Sequence, residues 1–400
     1  MITKLHLKNF LSFRDTVVHF EDFNVILGAN ASGKSNLIKA ILVLKTFALE
    51  GVFHSEDSYS DFMETSFRKN SDPKENLYLE CQMKNSFKYS NAKGELELTL
   101  NDYNYSLECS SEEGIIKEEY IAKLNTDIKI SQILSREKRN AKILNFDSSG
   151  KAVFSQINLS QQMDFSTLIN KTNSNLPVAL IAGIQNTVLY KLDSIEIIRA
   201  STWKNQKLVN PTGSNLAGVL EYYKKYNPQI IDSINEILRR NIPSFKEVKT
   251  ERLGTKNAVF FAVEEQDGHT YSMNELSDGT DYFIAIIAAL VVLQYSDLDE
   301  NNKGLLIIEE PEKCLHPQLL SEIVEIAKLL TVKYQVIITS HSADLVSLLK
   351  PEDLLLMDKD ENGSRIKRCN SSKQLEAFLK EFSLDQAWLF NELEGGVVYG

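Results

Sequence analysis

The chain has 400 residues, of which 43% are hydrophobic and 25% charged, so its composition is that of a globular protein with one large or two modest domains. Its formal net charge of -11 excludes a protein that coats DNA with its whole surface, although a local basic patch remains compatible with it. There is no apolar run of about 18 residues and no secretion leader at MITKLHLKNF, so we expect a cytoplasmic protein that does not span a membrane.

Strand and helix patterns follow one another at the start of the chain. Residues 2–8 and 16–20 alternate apolar and polar side chains, as paired strands do, and residues 23–27 read FNVIL, which predicts a buried strand. A glycine-rich turn comes next, and from Ser35 to about Leu49 the apolar residues recur at helical spacing. The local order is therefore strand, glycine loop, helix.

The middle of the chain combines short strands with helices. Residues 77–120 form alternating runs separated by Asn, Gly and Asp turns, which predicts an antiparallel meander. Residues 121–190 mix strand-like and helical pieces, and we interpret them as an insertion. Residues 194–198 predict a further strand, and residues 215–240 predict a helical region that a proline divides in two.

The last part of the chain alternates strands with helices. A strand at 259–263 precedes a long apolar helix from about Asp281 to Gln294, and strands at 304–308 and 335–338 each lead into a helix. This alternation predicts a fold of the α/β class, with a mainly parallel sheet flanked by helices.

Residues 28–35 read GANASGKS and fit the pattern G-x-x-x-x-G-K-[ST] between a strand and a helix. In such a loop the glycines let backbone N–H groups turn toward phosphates, Lys34 neutralises the β and γ oxygens, and the Ser35 hydroxyl completes a Mg²⁺ shell. A chance glycine turn is the alternative. The predicted nucleotide-binding residues are Asn30, Gly33, Lys34, Ser35 and Asn36.

Residues 305–311 read LLIIEEP, in which four apolar strand residues end in two acids. In the second signature of ATPases the first carboxylate orients Mg²⁺ and the next polarises the attacking water. This assigns Glu309 to the metal, together with Ser35, and Glu310 to catalysis. Glu309 stands where an aspartate is usual, so its extra methylene changes the reach to the metal. Taken alone, the pattern also fits an exposed acidic strand end.

Residues 276–280 read LSDGT and precede the apolar helix. They resemble the signature motif of ABC ATPases, in which a serine and a glycine at a helix N-terminus bind the γ-phosphate held by the other subunit. The alternative is an ordinary helix cap. Their position between the glycine loop and the acidic strand favours the first interpretation, which assigns Ser277 and Gly279 to the partner's nucleotide.

Residues 337–342 read IITSHS, a buried strand that ends in a polar turn. In ABC ATPases a histidine at this place donates to the γ-phosphate and the attacking water. A lone histidine at a strand end is more often structural, but the order of the four motifs favours a catalytic role for His341.

Together the four motifs resemble those of ABC-type ATPases of the RecF and SMC group, and more closely the ATPases related to the OLD family. Further support comes from KNFLSF at 8–13, EEPE at 309–312, LHP at 315–317, FSL at 382–384 and WL at 388–389. The resemblance implies a P-loop NTPase fold with an antiparallel β lobe, and ATP and Mg²⁺ as cofactors. It also implies a homodimer that closes around ATP, with assembly beyond the dimer left open.

The resemblance also divides the chain. We expect residues 1–120 to form one ATPase lobe with the glycine loop and the meander, residues 121–190 to form the insertion, and residues 191–400 to form the rest of the ATPase. The predicted strand at 194–198 leads into Arg199 where the family has a glutamine, so the glutamine loop is unassigned. OLD proteins carry a nuclease domain after the ATPase, and the 59 residues that follow His341 here are too few for it, so we expect any nuclease or toxin to be a separate protein.

Two roles remain open. The first is a sensor or scaffold subunit of a bacterial antiviral defence system that controls a separate effector, a nuclease or a toxin. The second is a RecF-like clamp for DNA repair or chromosome maintenance that closes on DNA. The clamp needs a basic face, for which the run 136–142 and Lys204, Lys207, Lys224 and Lys225 are candidates, although a solvated charged surface explains such residues equally simply.

Overall fold

The computed structural model describes residues 1–49, 75–90, 97–110, 114–124, 131–138, 140–146, 152–158, 184, 186–202, 206–253, 258–272, 274–298, 303–369, 375, 379 and 383–389. In chain order the strands are β1 (Ile2–Phe10), β2 (Phe13–His19), β3 (Phe23–Leu27), β4 (Leu77–Ser90), β5 (Glu97–Ser110), β6 (Gly114–Leu124), β7 (Ser131–Glu137), β8 (Asn140–Phe146), β9 (Ala152–Asn158), β10 (Thr187–Tyr190), β11 (Ser201–Thr202), β12 (Phe245–Leu253), β13 (Ala258–Glu265), β14 (Thr270–Ser272), β15 (Gly304–Glu309), β16 (Tyr334–Ser340), β17 (Leu354–Asp360) and β18 (Gly363–Arg368). The helices are α1 (Lys34–Leu49), α2 (Ser194–Ile197), α3 (Leu216–Tyr226), α4 (Pro228–Asn241), α5 (Asp278–Gln294), α6 (Pro317–Leu329), α7 (Ala343–Val346) and α8 (Leu384–Leu389).

A six-stranded sheet lies at the centre, in the order β10–β15–β16–β3–β17–β18, with all neighbours parallel except β17 and β18. Its inner strands are continuous apolar runs, such as FNVIL in β3, because a parallel sheet is covered on both faces. Alternate side chains enter two hydrophobic cores, so that Leu305 packs on one face of the sheet and Leu306 on the other. The predicted α/β class with a mainly parallel sheet is confirmed.

An eight-stranded antiparallel sheet, in the order β2–β1–β4–β5–β6–β7–β8–β9, shares one of these cores with α1. The predicted pairing of the first two strands and the meander over 77–120 are confirmed. Strand β6 runs across residue 120, and β7 to β9 continue the same sheet. The division of the chain at residue 120 stays a prediction, and residues 159–183 of the expected insertion lie outside the described part.

The predicted strand at 194–198 is wrong, because these residues form the short helix α2. The Asp193 carboxylate accepts hydrogen bonds from the backbone N–H groups of Ile195 (2.9 Å) and Glu196 (3.2 Å), which is a helix N-cap. The strand beside β15 comes earlier, as β10, and is parallel to it with Tyr190 opposite Ile308. Lys191 is therefore the residue that directly follows this strand, which the sequence pattern had placed at 194–198.

Helices α3 to α6 cover the second face of the central sheet, and α5 is buried along nearly its whole length. This burial explains why α5 is apolar on every side instead of along one stripe. The predicted break within 215–240 is confirmed, since α3 ends at Tyr226 and α4 starts at Pro228, where a proline needs no N–H partner. A small sheet of β11 to β14 packs against α3. None of the described helices is long and apolar enough to cross a bilayer.

Candidate functional site

The carboxyl ends of β3, β15 and β16 meet at one edge of the central sheet. The strand register pairs Leu27 with Ser340 and Glu309 with Thr339, so the glycine loop, the acidic pair and the histidine turn leave the sheet side by side. In open α/β sheets this edge is where ligands bind. Three of the four predicted motifs, far apart in the sequence, therefore come together here.

The glycine loop forms a tight turn between β3 and α1. Gly33 has a φ of 115°, in the region that glycine tolerates, and a Cβ on it would lie 2.3 Å from Ser364 Oγ and 2.8 Å from Ser12 Oγ. Ala31 also has a positive φ, of 65°, which costs a non-glycine residue strain of a kind that concentrates at functional sites. Such a turn, together with the first N–H groups of α1, forms a concavity suited to an anion. We call this concavity, formed by residues 28–35, the cradle.

Neighbouring side chains brace this loop. Asn36, at the start of α1, donates from Nδ2 to Ser12 Oγ (2.9 Å), and Ser364 donates from Oγ to Ser32 O (2.5 Å). Asn30 is exposed at the tip of the loop. The β1–β2 turn and the β17–β18 hairpin thus hold the loop from two sides, and the side chain of Asn36 serves this bracing.

Lys34 lies folded over its own loop. Its Nζ donates to the carbonyl oxygens of Gly28 (2.5 Å) and Ala29 (3.0 Å). Burial lowers the pKa of Lys34 from its usual value, while the nearby carboxylates of Glu310 and Glu312 act in the opposite direction. The ammonium group therefore lies within the glycine loop, between the loop carbonyls and the acidic strand.

Ser35 and Glu309 approach each other across the cradle, as the predicted metal site requires. Ser35 Oγ lies 3.5 Å from Glu309 Oε2, and Lys191 Nζ lies 3.2 Å from the same carboxylate oxygen. Across the described part of the chain, no cluster of three His, Cys, Asp or Glu residues fits a metal ion. Mg²⁺ at phosphate sites needs only one or two protein oxygens beside phosphate and water, so a hydroxyl and a carboxylate fit it.

Glu310 and His341 lie next to each other at the ends of β15 and β16. Glu310 has a φ of 52°, and its backbone N–H donates to Thr339 O (2.8 Å), so the sheet itself holds this strained residue. The Glu310 carboxylate is half-exposed, with Oε1 3.8 Å from His341 Nδ1. In this arrangement the accessible carboxylate can accept a proton from water, and the accessible histidine can donate a hydrogen bond to an anion.

Two residues of this site, Glu312 and Lys191, were not predicted from the sequence. Glu312 Oε1 accepts hydrogen bonds from Ser340 Oγ (2.7 Å) and from the backbone N–H of His341 (3.1 Å), so it orients the histidine turn. The third acid of EEPE was a visible signal, although it was used only for the resemblance. Lys191 was not predicted because the strand that precedes it, Thr187–Tyr190, was expected at 194–198, after the lysine instead of before it.

The signature segment begins α5. Ser277 is the N-cap, with Oγ accepting from the backbone N–H of Thr280 (3.2 Å), and its side chain is exposed. A Cβ on Gly279 would lie 2.5 Å from Cys314 O, so only glycine lets the loop after β15 pack this closely on α5. Ser277 therefore does cap α5, as the alternative interpretation of this segment expected. A role toward a partner's nucleotide stays a prediction.

The first turn of α5 also carries a buried acid. Asp281 is 2% exposed, and its Oδ1 has no hydrogen-bond partner among the described residues. Burial, with a smaller contribution from the nearby Asp278 carboxylate, raises the pKa of Asp281 to about 7. The carboxyl group is therefore partly protonated near neutral pH.

We expect Asp281→Asn to change how stability depends on pH. Because the folded pKa exceeds the unfolded one, the stabilisation by the protonated acid is complete below the unfolded pKa and is lost as pH rises through about 7. Asparagine stays neutral at all these pH values. The free energy of unfolding of the variant, relative to that of wild type, should therefore rise by about 2–3 kcal/mol as the pH is raised from 5 to 8. Urea unfolding at several pH values measures this, with the exposed Asp297→Asn as control. A difference that does not vary with pH would contradict it.

A family model described as "AAA domain, putative AbiEii toxin, Type IV TA system" matches residues 23–347, which is most of the chain and includes all four motifs. The chain belongs to this AAA-domain family. The matched range of the AAA domain starts at β3 and ends just after the histidine turn, so β1, β2, β17 and β18 lie outside it.

A short stretch of the chain is also similar to two curated proteins. Two proteins named DNA replication and repair protein RecF, from Limosilactobacillus reuteri (strain DSM 20016) and Limosilactobacillus reuteri subsp. reuteri (strain JCM 1112), are each 47% identical over 45 residues. That stretch spans 11% of this chain and only 12% of the length of each relative.

A solved structure shows the fold. "Crystal structure of the SmcHead bound to the C-winged helix domain of ScpA" matches with a TM-score of 0.51 at 14% identity, over 94% of this chain and 99% of that one. The AAA domain accordingly has the fold of an SMC head, which is a P-loop NTPase fold of the ABC type. The closer relationship to the OLD family stays a prediction.

Proposed function

We propose that this AAA domain binds and hydrolyses Mg-ATP and that nucleotide closes two copies into a dimer. The observation that supports this most is the meeting of the glycine loop, Glu309, Glu310 and His341 at the carboxyl edge of the central sheet. Family membership independently supports nucleotide binding.

Each residue has a role in this proposal. The loop N–H groups and Lys34 hold the β- and γ-phosphates, and Ser35 and Glu309 hold Mg²⁺. When bound, Mg²⁺ supplies charge that neutralises phosphate oxygens. Glu310 accepts a hydrogen bond from the attacking water and aligns it with the γ-phosphorus, and His341 donates to the γ-phosphate oxygen.

The dimer is the second part of the proposal. Ser277 is exposed at the N-terminus of α5, a helix of 17 residues whose dipole favours a negative group at that end. We infer that Ser277 and Gly279 meet the γ-phosphate held by a second copy. Each nucleotide then depends on both chains.

Mixing two inactive variants tests the shared site. Ser277→Asp should lower ATP hydrolysis about tenfold or more, because its carboxylate opposes a phosphate, while Ser277→Asn, an equally good helix cap, should lower it less. Mixing Ser277→Asp chains with Lys34→Ala chains should restore about a quarter of wild-type activity, since half the dimers are mixed and each has one intact site. If the mixture stays inactive while each variant remains folded, Ser277 does not act across a dimer.

For the biological role we propose a cytoplasmic sensor or scaffold subunit of an antiviral defence system that controls a separate nuclease or toxin. The toxin–antitoxin wording of the family description supports this, as does the resemblance of the EEPE and LHP segments to OLD-related ATPases. Co-purification with the products of neighbouring genes tests it. Recovery of the chain alone, with no effector bound in either nucleotide state, would count against this role.

A DNA clamp is the second candidate, supported by the 45-residue RecF match. The expected basic face loses Arg136, which is buried and donates to Lys138 O (2.9 Å), whereas Lys207, Lys224 and Lys225 are exposed. Lys204 lies outside the described residues. ATP-dependent duplex binding that weakens steeply with salt would favour the clamp over the defence role.

A further inference from the structure

Lys191 touches the carboxylate that we assign to the metal. Its Nζ lies 3.2 Å from Glu309 Oε2, the oxygen that also faces Ser35 Oγ at 3.5 Å. The Lys191 side chain is 65% exposed, whereas that of Glu309 is only 10% exposed. The lysine therefore reaches from solvent into the cradle and neutralises a largely buried acid.

Strand pairing and backbone hydrogen bonds fix the position of the Lys191 backbone. Lys191 is the first residue after β10, which pairs with β15 along its full length. Its N–H donates to Pro211 O (2.8 Å), and the N–H of Asp193 donates to Thr212 O (3.1 Å). The following Leu192 packs in the same core as α5. The helix that follows, α2, packs against α5, which begins with the signature residues.

Mg²⁺ and the Lys191 ammonium group would compete for the same carboxylate oxygen of Glu309. Mg²⁺ binds oxygen at about 2.0–2.1 Å and demands a near-octahedral shell, so an ammonium group still on that oxygen would lie within about 5 Å of the metal and repel it. Without the metal, however, an unpaired Glu309 carboxylate would repel the phosphates of ATP. The lysine therefore favours the binding of metal-free ATP and opposes the binding of Mg²⁺ that follows.

We propose that Lys191 is a built-in counter-ion that occupies Glu309 until Mg²⁺ displaces it. It supports entry of metal-free ATP and raises the Mg²⁺ concentration needed to complete the site. The inference rests on the proposed function, because it takes Ser35 and Glu309 as the Mg²⁺ ligands.

Opposite changes in two affinities test this role. Lys191→Met should weaken binding of a fluorescent ATP analogue in EDTA by about three- to fivefold, and should lower the Mg²⁺ concentration at half-saturation by a similar factor. Lys191→Arg should behave as wild type, because it keeps the charge. The matched control is Lys303→Met, which removes a lysine paired with Asp22 (3.1 Å) at the opposite end of β15 and should change neither affinity.

Two outcomes would overturn the proposal: both affinities of Lys191→Met shift in the same direction, or neither shifts. A titration of nucleotide-free protein with Mn²⁺, followed by electron paramagnetic resonance, separates this from failure of the proposed function. Mn²⁺ should bind Lys191→Met more tightly than wild type, and Glu309→Gln should abolish the difference. If wild type binds no ATP, the ATPase proposal fails, and an unchanged Mn²⁺ affinity in Lys191→Met then removes the counter-ion as well.

Discussion

Replacing Lys34 by alanine is expected to abolish measurable nucleotide binding. The lysine is the cation at the phosphate cradle, and its loss leaves the carbonyl oxygens of Gly28 and Ala29 facing the phosphates instead of an ammonium group. Two charge-assisted contacts to the β- and γ-phosphates disappear together, which corresponds to a loss of affinity of about 100-fold or more. Equilibrium titration with a fluorescent ATP analogue in the presence of Mg²⁺ measures this directly.

The control for Lys34→Ala is Lys303→Ala. Lys303 also neutralises a carboxylate, that of Asp22, but at the amino end of the parallel strands, away from the cradle. Its replacement should leave nucleotide affinity within about twofold of wild type. Thermal unfolding of both variants guards against a folding defect, because Lys34 is buried. A folded Lys34→Ala protein that binds ATP as wild type does would remove the loop from phosphate recognition.

Glu310→Gln is expected to leave ATP binding intact, to stop hydrolysis and to trap the closed dimer. Glutamine keeps the size of glutamate and can take the same backbone conformation, but its amide cannot draw a proton from the attacking water. Loss of a general base lowers the rate by about 10²–10⁴-fold. Because the intact nucleotide is no longer consumed, dimers should accumulate in light scattering after gel filtration with Mg-ATP.

Glu325→Gln provides the matched comparison, since this glutamate is exposed on α6. It should hydrolyse ATP at the wild-type rate and should not accumulate dimers. Unchanged hydrolysis in Glu310→Gln would take Glu310 out of catalysis. Full loss of hydrolysis without dimers would keep its catalytic role and contradict the nucleotide-closed dimer.

The sequence by itself determined the parts of the site that are local. The strand at 23–27, the glycine loop and α1 are contiguous, so hydrophobic periodicity and glycine spacing were enough to predict them. The acidic strand end and the histidine turn were predicted for the same reason, each as a buried strand followed by a polar turn. Alternating strands and helices also gave the α/β class correctly, because a parallel sheet needs helical crossovers.

Only the tertiary structure decided which of these segments meet. The run after Asp193 forms a helix, α2, capped by the Asp193 carboxylate, and the register of β10 against β15 brought Lys191 onto Glu309. Glu312 gained its role from a contact with Ser340, on a different strand. Periodicity reports which face of one segment is buried, but the order and register of strands arise from packing among distant segments. Contacts between side chains at the strand ends therefore emerge only in the folded protein.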